Sequence, residues 1–122
     1  MTRVDIVVGS VVVKTEWNDS ATARQLLAAL PIRSSGSYWG KELYFDVPVE
    51  AELEEGAGDV VPAGAVAYWP PGPSLCLFWG PTPASRSGEC RAASPVNVVG
   101  RVLNPEILPR LKAREVIVDL SR

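Results

Sequence analysis

A chain of 122 residues can bury roughly two-thirds of the surface its unfolded form exposes, so a single domain spanning 1–122 is expected to stand on a hydrophobic core alone. Twelve basic against fourteen acidic residues leave no basic stripe for a phosphate backbone, which argues against nucleic-acid binding. There is no histidine, and that removes Ser-His-Asp triads, Cys-His dyads and histidine-ligated zinc together.

In chain order, Val4 to Val8 and Val11 to Thr15 are β-branched runs on either side of Gly9-Ser10. This predicts a tight hairpin whose glycine supplies the positive φ of a type II′ turn. Asn18-Asp19-Ser20 offers a helix N-cap, Ala23, Leu26, Leu27 and Leu30 recur at helical spacing, and Pro31 stops the run. One helix of about three turns is expected there. From Lys41 to Leu53 the pattern alternates. Leu43, Phe45, Val47, Val49, Ala51 and Leu53 point one way, and Glu42, Tyr44, Asp46, Glu50, Glu52 and Glu54 point the other. Such a ribbon is apolar toward a core and polar outward. Pro48 cannot donate to a ladder, so a bulge or break is expected near it.

Gly56-Ala57-Gly58 reads as a loop. Val66 to Trp69 and Leu75 to Trp79 read as two strands paired across a proline-rich turn in which Pro71-Gly72 suits the central positions of type II. Gly80 to Ser94 shows no periodicity and is expected to be an extended surface loop. Val96 to Leu103 reads as a strand, Asn104-Pro105 breaks it, and Glu115 to Leu120 forms the last strand. Six to eight short strands with one helix predict a mainly β fold, a small closed antiparallel barrel.

No apolar run approaches the ~20 residues of a membrane span, and the start of the chain lacks the basic-then-apolar layout of a signal peptide. A cytoplasmic protein is expected, with no membrane partner and with Cys76 and Cys90 reduced and unlinked. Asn18-Asp19-Ser20 matches a glycosylation acceptor only by chance in that setting. Gly56-Ala57-Gly58-Asp59 begins like a dinucleotide fingerprint but lacks its third glycine and following helix, and no cofactor is expected.

Three blocks carry a family resemblance: Trp39-Gly40-Lys41-Glu42-Leu43-Tyr44-Phe45, Tyr68-Trp69-Pro70-Pro71-Gly72 with Leu75-Cys76-Leu77-Phe78, and Pro95-Val96-Asn97-Val98-Val99-Gly100. In order and spacing they resemble the signature of a small prokaryotic cyclophilin-like family, compact barrels without the longer loops of eukaryotic cyclophilins. The resemblance implies a cyclophilin-like barrel of about eight strands capped by a helix. Cyclophilins isomerise the bond before proline, using an arginine beside an apolar pocket. The Trp39-to-Phe45 block offers Lys41 and Glu42 in place of that arginine.

Several side chains carry two readings. Glu42, beside Trp39 and Tyr44, is either an acid, base or polar anchor in an aromatic pocket, or a surface carboxylate paired with a cation. Trp69, held extended by Pro70, either walls a groove or packs over its own turn. Asn97, in a valine-rich strand, either bonds nearby backbone or contacts a ligand. Cys76 among apolar neighbours reads as a packed, inert thiol. Glu50, Glu52, Glu54, Glu55 and Asp59 form an acidic run that is either a solvated strand face or a hard-cation site.

Three functions compete. The first is a binding module that takes a peptide or small organic ligand on a face carrying Trp39, Glu42, Tyr44 and Trp69, with Asn97 as a further contact. Glu42 and Trp69 would then serve the surface and contribute little to stability. The second is a divergent prolyl isomerase, on fold resemblance alone. The third is a homodimeric structural module joined through the exposed aromatics.

Overall fold

The computed structural model describes residues 1–122. Its strands are β1 (Thr2–Val8), β2 (Val11–Trp17), β3 (Ile32–Tyr38), β4 (Glu42–Asp46), β5 (Gly58–Val61), β6 (Ala65–Trp69), β7 (Ser74–Phe78), β8 (Cys90–Val102) and β9 (Glu115–Leu120). Helix α1 covers Ala21–Ala28, and a 3-10 helix covers Pro105–Arg110. Strands pair in the order β2-β1-β9-β3-β4-β7-β6-β8, and β2 meets β8 to close a ring of eight. Every pairing is antiparallel, and β5 is added to the first half of β8. Closure leaves the ring itself no open edge. No helix is long and apolar enough to cross a membrane.

The first hairpin forms as its sequence dictates, with Val8 opposite Val11 across Gly9 at φ 62°. Val4, Ile6, Val8, Val13 and Trp17 point into the ring. There they meet Leu43, Phe45, Val66, Tyr68, Leu75, Leu77, Val99, Val116 and Val118, and each such fully buried side chain contributes about 1.5–3 kcal/mol. Helix α1 adds Ala23 and Leu26 to this core, and the 3-10 helix adds Leu108. The Ser20 hydroxyl caps α1 by accepting from the Ala23 N–H at 3.2 Å. At eight residues α1 is shorter than the predicted three turns, because Ala29 already closes its C-terminus two residues before Pro31.

Three segments depart from expectation. Ile32–Tyr38 is a strand although it buries only Ile32 and Gly36. Its serines hide the usual alternation, and Gly36 is needed because a Cβ there would lie 2.6 Å from Leu43 Cδ1. Strand β4 stops at Asp46, at the break expected near Pro48, but the alternating run up to Leu53 does not resume as a strand after it. Beyond it, the Tyr68 hydroxyl donates to the Val49 carbonyl at 2.7 Å and accepts from the Ala51 N–H at 3.0 Å. A side chain thus replaces the ladder, and Val47 and Val49 stay buried without being in a strand.

The largest correction concerns residues 80–94. Cys90–Ser94 are not loop but the start of a 13-residue strand β8, and Gly58, expected in a loop, opens its partner β5. Cys90, Ala92 and Val96 are buried on one side of β8. Short side chains make that alternation faint, and Pro95 falls where the β5–β8 register is irregular, as proline in a sheet must.

Candidate functional site

Strands β4, β7 and β6 lie side by side, with Tyr44 opposite Cys76 and Cys76 opposite Ala67. Glu42 and Phe78 form the next row, and Trp69 lies two residues along from Ala67. All of these project from the face away from the ring's core. On most β-sheets of this kind that face would be wet. Here the first half of β8, with β5, covers much of it, and Val61, Ala65, Ala67, Cys76, Phe78, Cys90, Ala92 and Val96 form a second apolar cluster with Trp69 packed against it. Beside β4 a pocket of about 170 Å³ remains, lined by Trp39, Glu42, Tyr44, Trp69, Cys76, Ala92 and Ala93. Two alanines on the β8 side leave the space.

The walls are held by backbone geometry. Trp39 sits in the β3–β4 turn, where its N–H donates to the Glu42 carbonyl at 2.9 Å. Gly40 takes φ 60° and lies so close to Pro81 and Thr82 that a Cβ would meet Thr82 Cα at 2.8 Å. The Lys41 N–H donates to the Pro81 carbonyl at 2.9 Å, which ties the turn to the 80–89 loop. Trp69 resolves its two readings by meeting both. Its ring packs over Gly72, where a Cβ would be 3.0 Å from Cζ3, and it also lines the pocket. Its indole N–H donates to the Ser94 hydroxyl at 2.8 Å. Tyr44 is 37% exposed and stands at the rim.

Of the two readings of Glu42, the structure places it in the aromatic pocket and not on the surface with a cation. It is only 4% exposed, because β8 and the turn aromatics cover the face it projects from. It enters none of the six ion pairs. Burial pushes its carboxyl up to about 7, an effect that the neighbouring Cys76 thiol partly offsets by hydrogen bonding. Burial, and then the Glu42 charge, in turn push the Cys76 thiol well above its ordinary range. Cys76 is therefore a protonated, packed thiol. Cys90 is also buried, and both cysteines are free.

Asn97 does not join this pocket. Its side-chain oxygen accepts from the Glu54 N–H at 2.8 Å, and its amide nitrogen donates to the Glu52 carbonyl at 2.9 Å and the Thr22 hydroxyl at 3.0 Å. A buried asparagine must satisfy both ends of its amide, and these three bonds pin the 52–54 segment to the start of α1. The acidic run is likewise dispersed. Glu54 accepts from the Thr22 N–H and hydroxyl, and the hydroxyl holds its carboxyl below the ordinary range. Asp59 pairs with Arg91 at 2.6 Å. No three carboxylates or thiols converge where they could hold a metal ion.

Sequence reasoning singled out Trp39, Glu42, Tyr44 and Trp69 but missed Ala92 and Ala93 as walls, since it placed both in a loop. The alternation of Cys90, Ala92, Ser94 and Val96 was the available signal. Pro81-Thr82-Pro83 is itself anchored, with the Thr82 hydroxyl donating to the Arg91 carbonyl and the Ser85 hydroxyl donating to the Glu89 carbonyl at 2.7 Å.

A family model described as cyclophilin-like matches residues 2–118. The solution structure of a hypothetical protein, AF2241 from Archaeoglobus fulgidus, is 38% identical, covers 98% of this chain and 95% of its own, and superposes with a TM-score of 0.82. The structure of McbB in complex with tryptophan superposes with a TM-score of 0.70 at 17% identity, over 97% of this chain and 44% of that one. At that identity the likeness is one of fold. No curated protein matches the chain.

Proposed function

The chain belongs to the cyclophilin-like family, and on that footing we propose that it is a binding module whose pocket takes a small organic molecule or a single side chain of a peptide. The observation that carries this reading is the convergence of Trp39, Glu42 and Tyr44 from one stretch of sequence and Trp69 from another on one apolar cavity. Pockets with few polar groups and one perturbed carboxyl are the usual form of a ligand site.

Size narrows the occupant. At about 170 Å³ the cavity is below the ~300 Å³ of a drug-sized site and close to the ~150 Å³ that admits a benzene. One ring or one branched head group fits, and an extended peptide would contribute a single residue. That a structural neighbour was solved with tryptophan supports small-molecule binding by a chain with this fold. The free, buried cysteines suit a reducing compartment such as the cytoplasm.

An isomerase would want a cationic or hydrogen-bond donor aimed at the substrate amide, and no arginine lines this pocket. A carboxyl near 7 also suits proton transfer, but no second reactive group stands beside it, since the Cys76 thiol is held protonated. Of the aromatics that a dimer face would use, only Tyr44 is among the exposed large apolar side chains, which lends less support to a dimer face than the pocket does to a ligand.

Ligand-observed NMR with a panel of single-ring and branched-alkyl compounds and short peptides tests the reading. Hits should bind the wild type and lose about tenfold or more in Tyr44→Ala and Trp69→Ala. Hits that bind both variants as tightly as the wild type would place the site elsewhere.

A further inference from the structure

The pocket holds an electrostatic imbalance. Three aromatic rings and one carboxyl surround it, and no positive charge of the protein answers them. Lys41, the nearest base in sequence, is exposed and lies against Gly80, where a Cβ would be 2.5 Å from Lys41 Cδ. Arg91, next to the lining residue Ala92, is committed to Glu89 at 3.0 Å and Asp59 at 2.6 Å. Tyr44 and Cys76 are the only other titratable groups lining the cavity, and neither can supply a cation. A buried carboxylate without a partner is costly, and proteins pair such groups or protonate them. The rings add to the same preference, since their π electrons attract a cation, tryptophan most strongly.

We propose that the occupant of this pocket presents a positively charged amine or quaternary ammonium group, with Glu42 as its counter-ion and Trp39, Tyr44 and Trp69 as its aromatic enclosure. The proposal rests on the reading that this pocket is the ligand site and names the chemistry of what enters it. A trimethylammonium head is compact and branched, as a cavity of about 170 Å³ requires. It also donates no hydrogen bonds, which suits walls that offer only one carboxyl to receive them. Such a head occurs on free small molecules such as choline and on methylated lysine in a peptide, and the two sources share the recognition.

Proton linkage gives the binding a signature. With the carboxyl pushed up to about 7 in the empty pocket, much of Glu42 is neutral at and below neutrality, and a permanent cation selects the ionised form. Affinity should therefore be flat above pH 8 and fall up to about tenfold for each pH unit below 7.

Calorimetric titration at pH 8 with choline, with its neutral isostere 3,3-dimethylbutan-1-ol, and with a short peptide carrying trimethyllysine tests this at millimolar ligand. Choline, the peptide or both should bind at least about tenfold more tightly than the neutral alcohol. Binding of choline alone would identify a free small molecule as the source, and binding of the peptide alone a protein partner. In Glu42→Gln the advantage over the alcohol should shrink and the pH dependence should vanish. If the alcohol binds as tightly as choline, the pocket stands as a ligand site and the cationic class falls. If none of the three binds, the cationic class falls, while the pocket as a ligand site stands or falls on the wider panel of single-ring and branched-alkyl compounds.

Discussion

Replacing Glu42 by Gln should stabilise the protein at alkaline pH and leave it nearly unchanged in acid. In the fold the carboxyl sits at about 7, against 4.5 for an unperturbed side chain, because burial penalises its charged form. The unfolded chain releases this proton near pH 4.3. The stability that the neutral carboxyl contributes is therefore complete below that value. It is lost as pH rises through the folded value near 7. At 1.36 kcal/mol for each pH unit, the gap is worth about 3 kcal/mol at pH 8, or roughly 10 °C in melting temperature for a chain of this size. Glutamine mimics the neutral acid and never ionises. Urea unfolding of both proteins from pH 4 to pH 8.5, followed by tryptophan fluorescence, isolates the effect, since every other titrating group cancels in the difference. The advantage of Glu42→Gln should grow from near zero at pH 4 to about 3 kcal/mol at pH 8. A difference that stays flat over that range would mean that Glu42 is ionised and solvated in the folded protein, and the enclosed-carboxyl account would fail.

Trp69→Ala should weaken ligand binding by about 1–3 kcal/mol and also lower the melting temperature, because the ring packs on Gly72 and bonds Ser94; a variant that melts unchanged would refute that packing. Asn97→Ala should cost about 2–4 kcal/mol of stability by stranding the Glu54 N–H and the Glu52 carbonyl, with ligand affinity unaltered in the folded fraction, and a selective loss of affinity would bring Asn97 back into the site. Deleting Glu115–Arg122 removes β9, which pairs with both β1 and β3, so the truncated chain should show no cooperative melt. The Cys90 thiol, buried and away from the pocket, should react with an aromatic disulfide reagent only at the rate of unfolding, and its rapid labelling in native protein would contradict that burial.

What was legible followed side-chain contrast. The β1–β2 hairpin, the Leu43–Phe45 alternation and the β6–β7 pair announce themselves through large apolar residues at period two. Strand β3 and the first half of β8 are built from serine, glycine and alanine, whose burial leaves almost no hydrophobic pattern; Gly36 and Ala92 are chosen for lack of size. The same blind spot hid two of the seven residues that line the site. Aromatic rings and a lone acid on β4 and β6 stand out in a sequence, whereas Ala92 and Ala93 matter for the room they leave. The burial of Glu42 could not be read locally either. On its own strand it occupies the polar face, and only the fold-over of β8, some fifty residues later, takes it out of water. Asn97 reads as an anomaly in a valine run, and its explanation lies in Thr22, Glu52 and Glu54, three distant backbone and side-chain partners that no spacing rule connects.

The most direct measurement of the ligand site follows the four indole N–H resonances of the protein during titration with choline at pH 8. Trp39 and Trp69 line the pocket, whereas Trp17 is fully buried in the ring core with no acceptor for its N–H and Trp79 packs against that core. Saturable shifts of the Trp39 and Trp69 signals, with Trp17 and Trp79 unmoved and with the shifts abolished in Glu42→Gln, are the predicted result. Equal movement of all four indoles, or saturable movement confined to Trp17 or Trp79, would contradict the assignment of this pocket as the binding site.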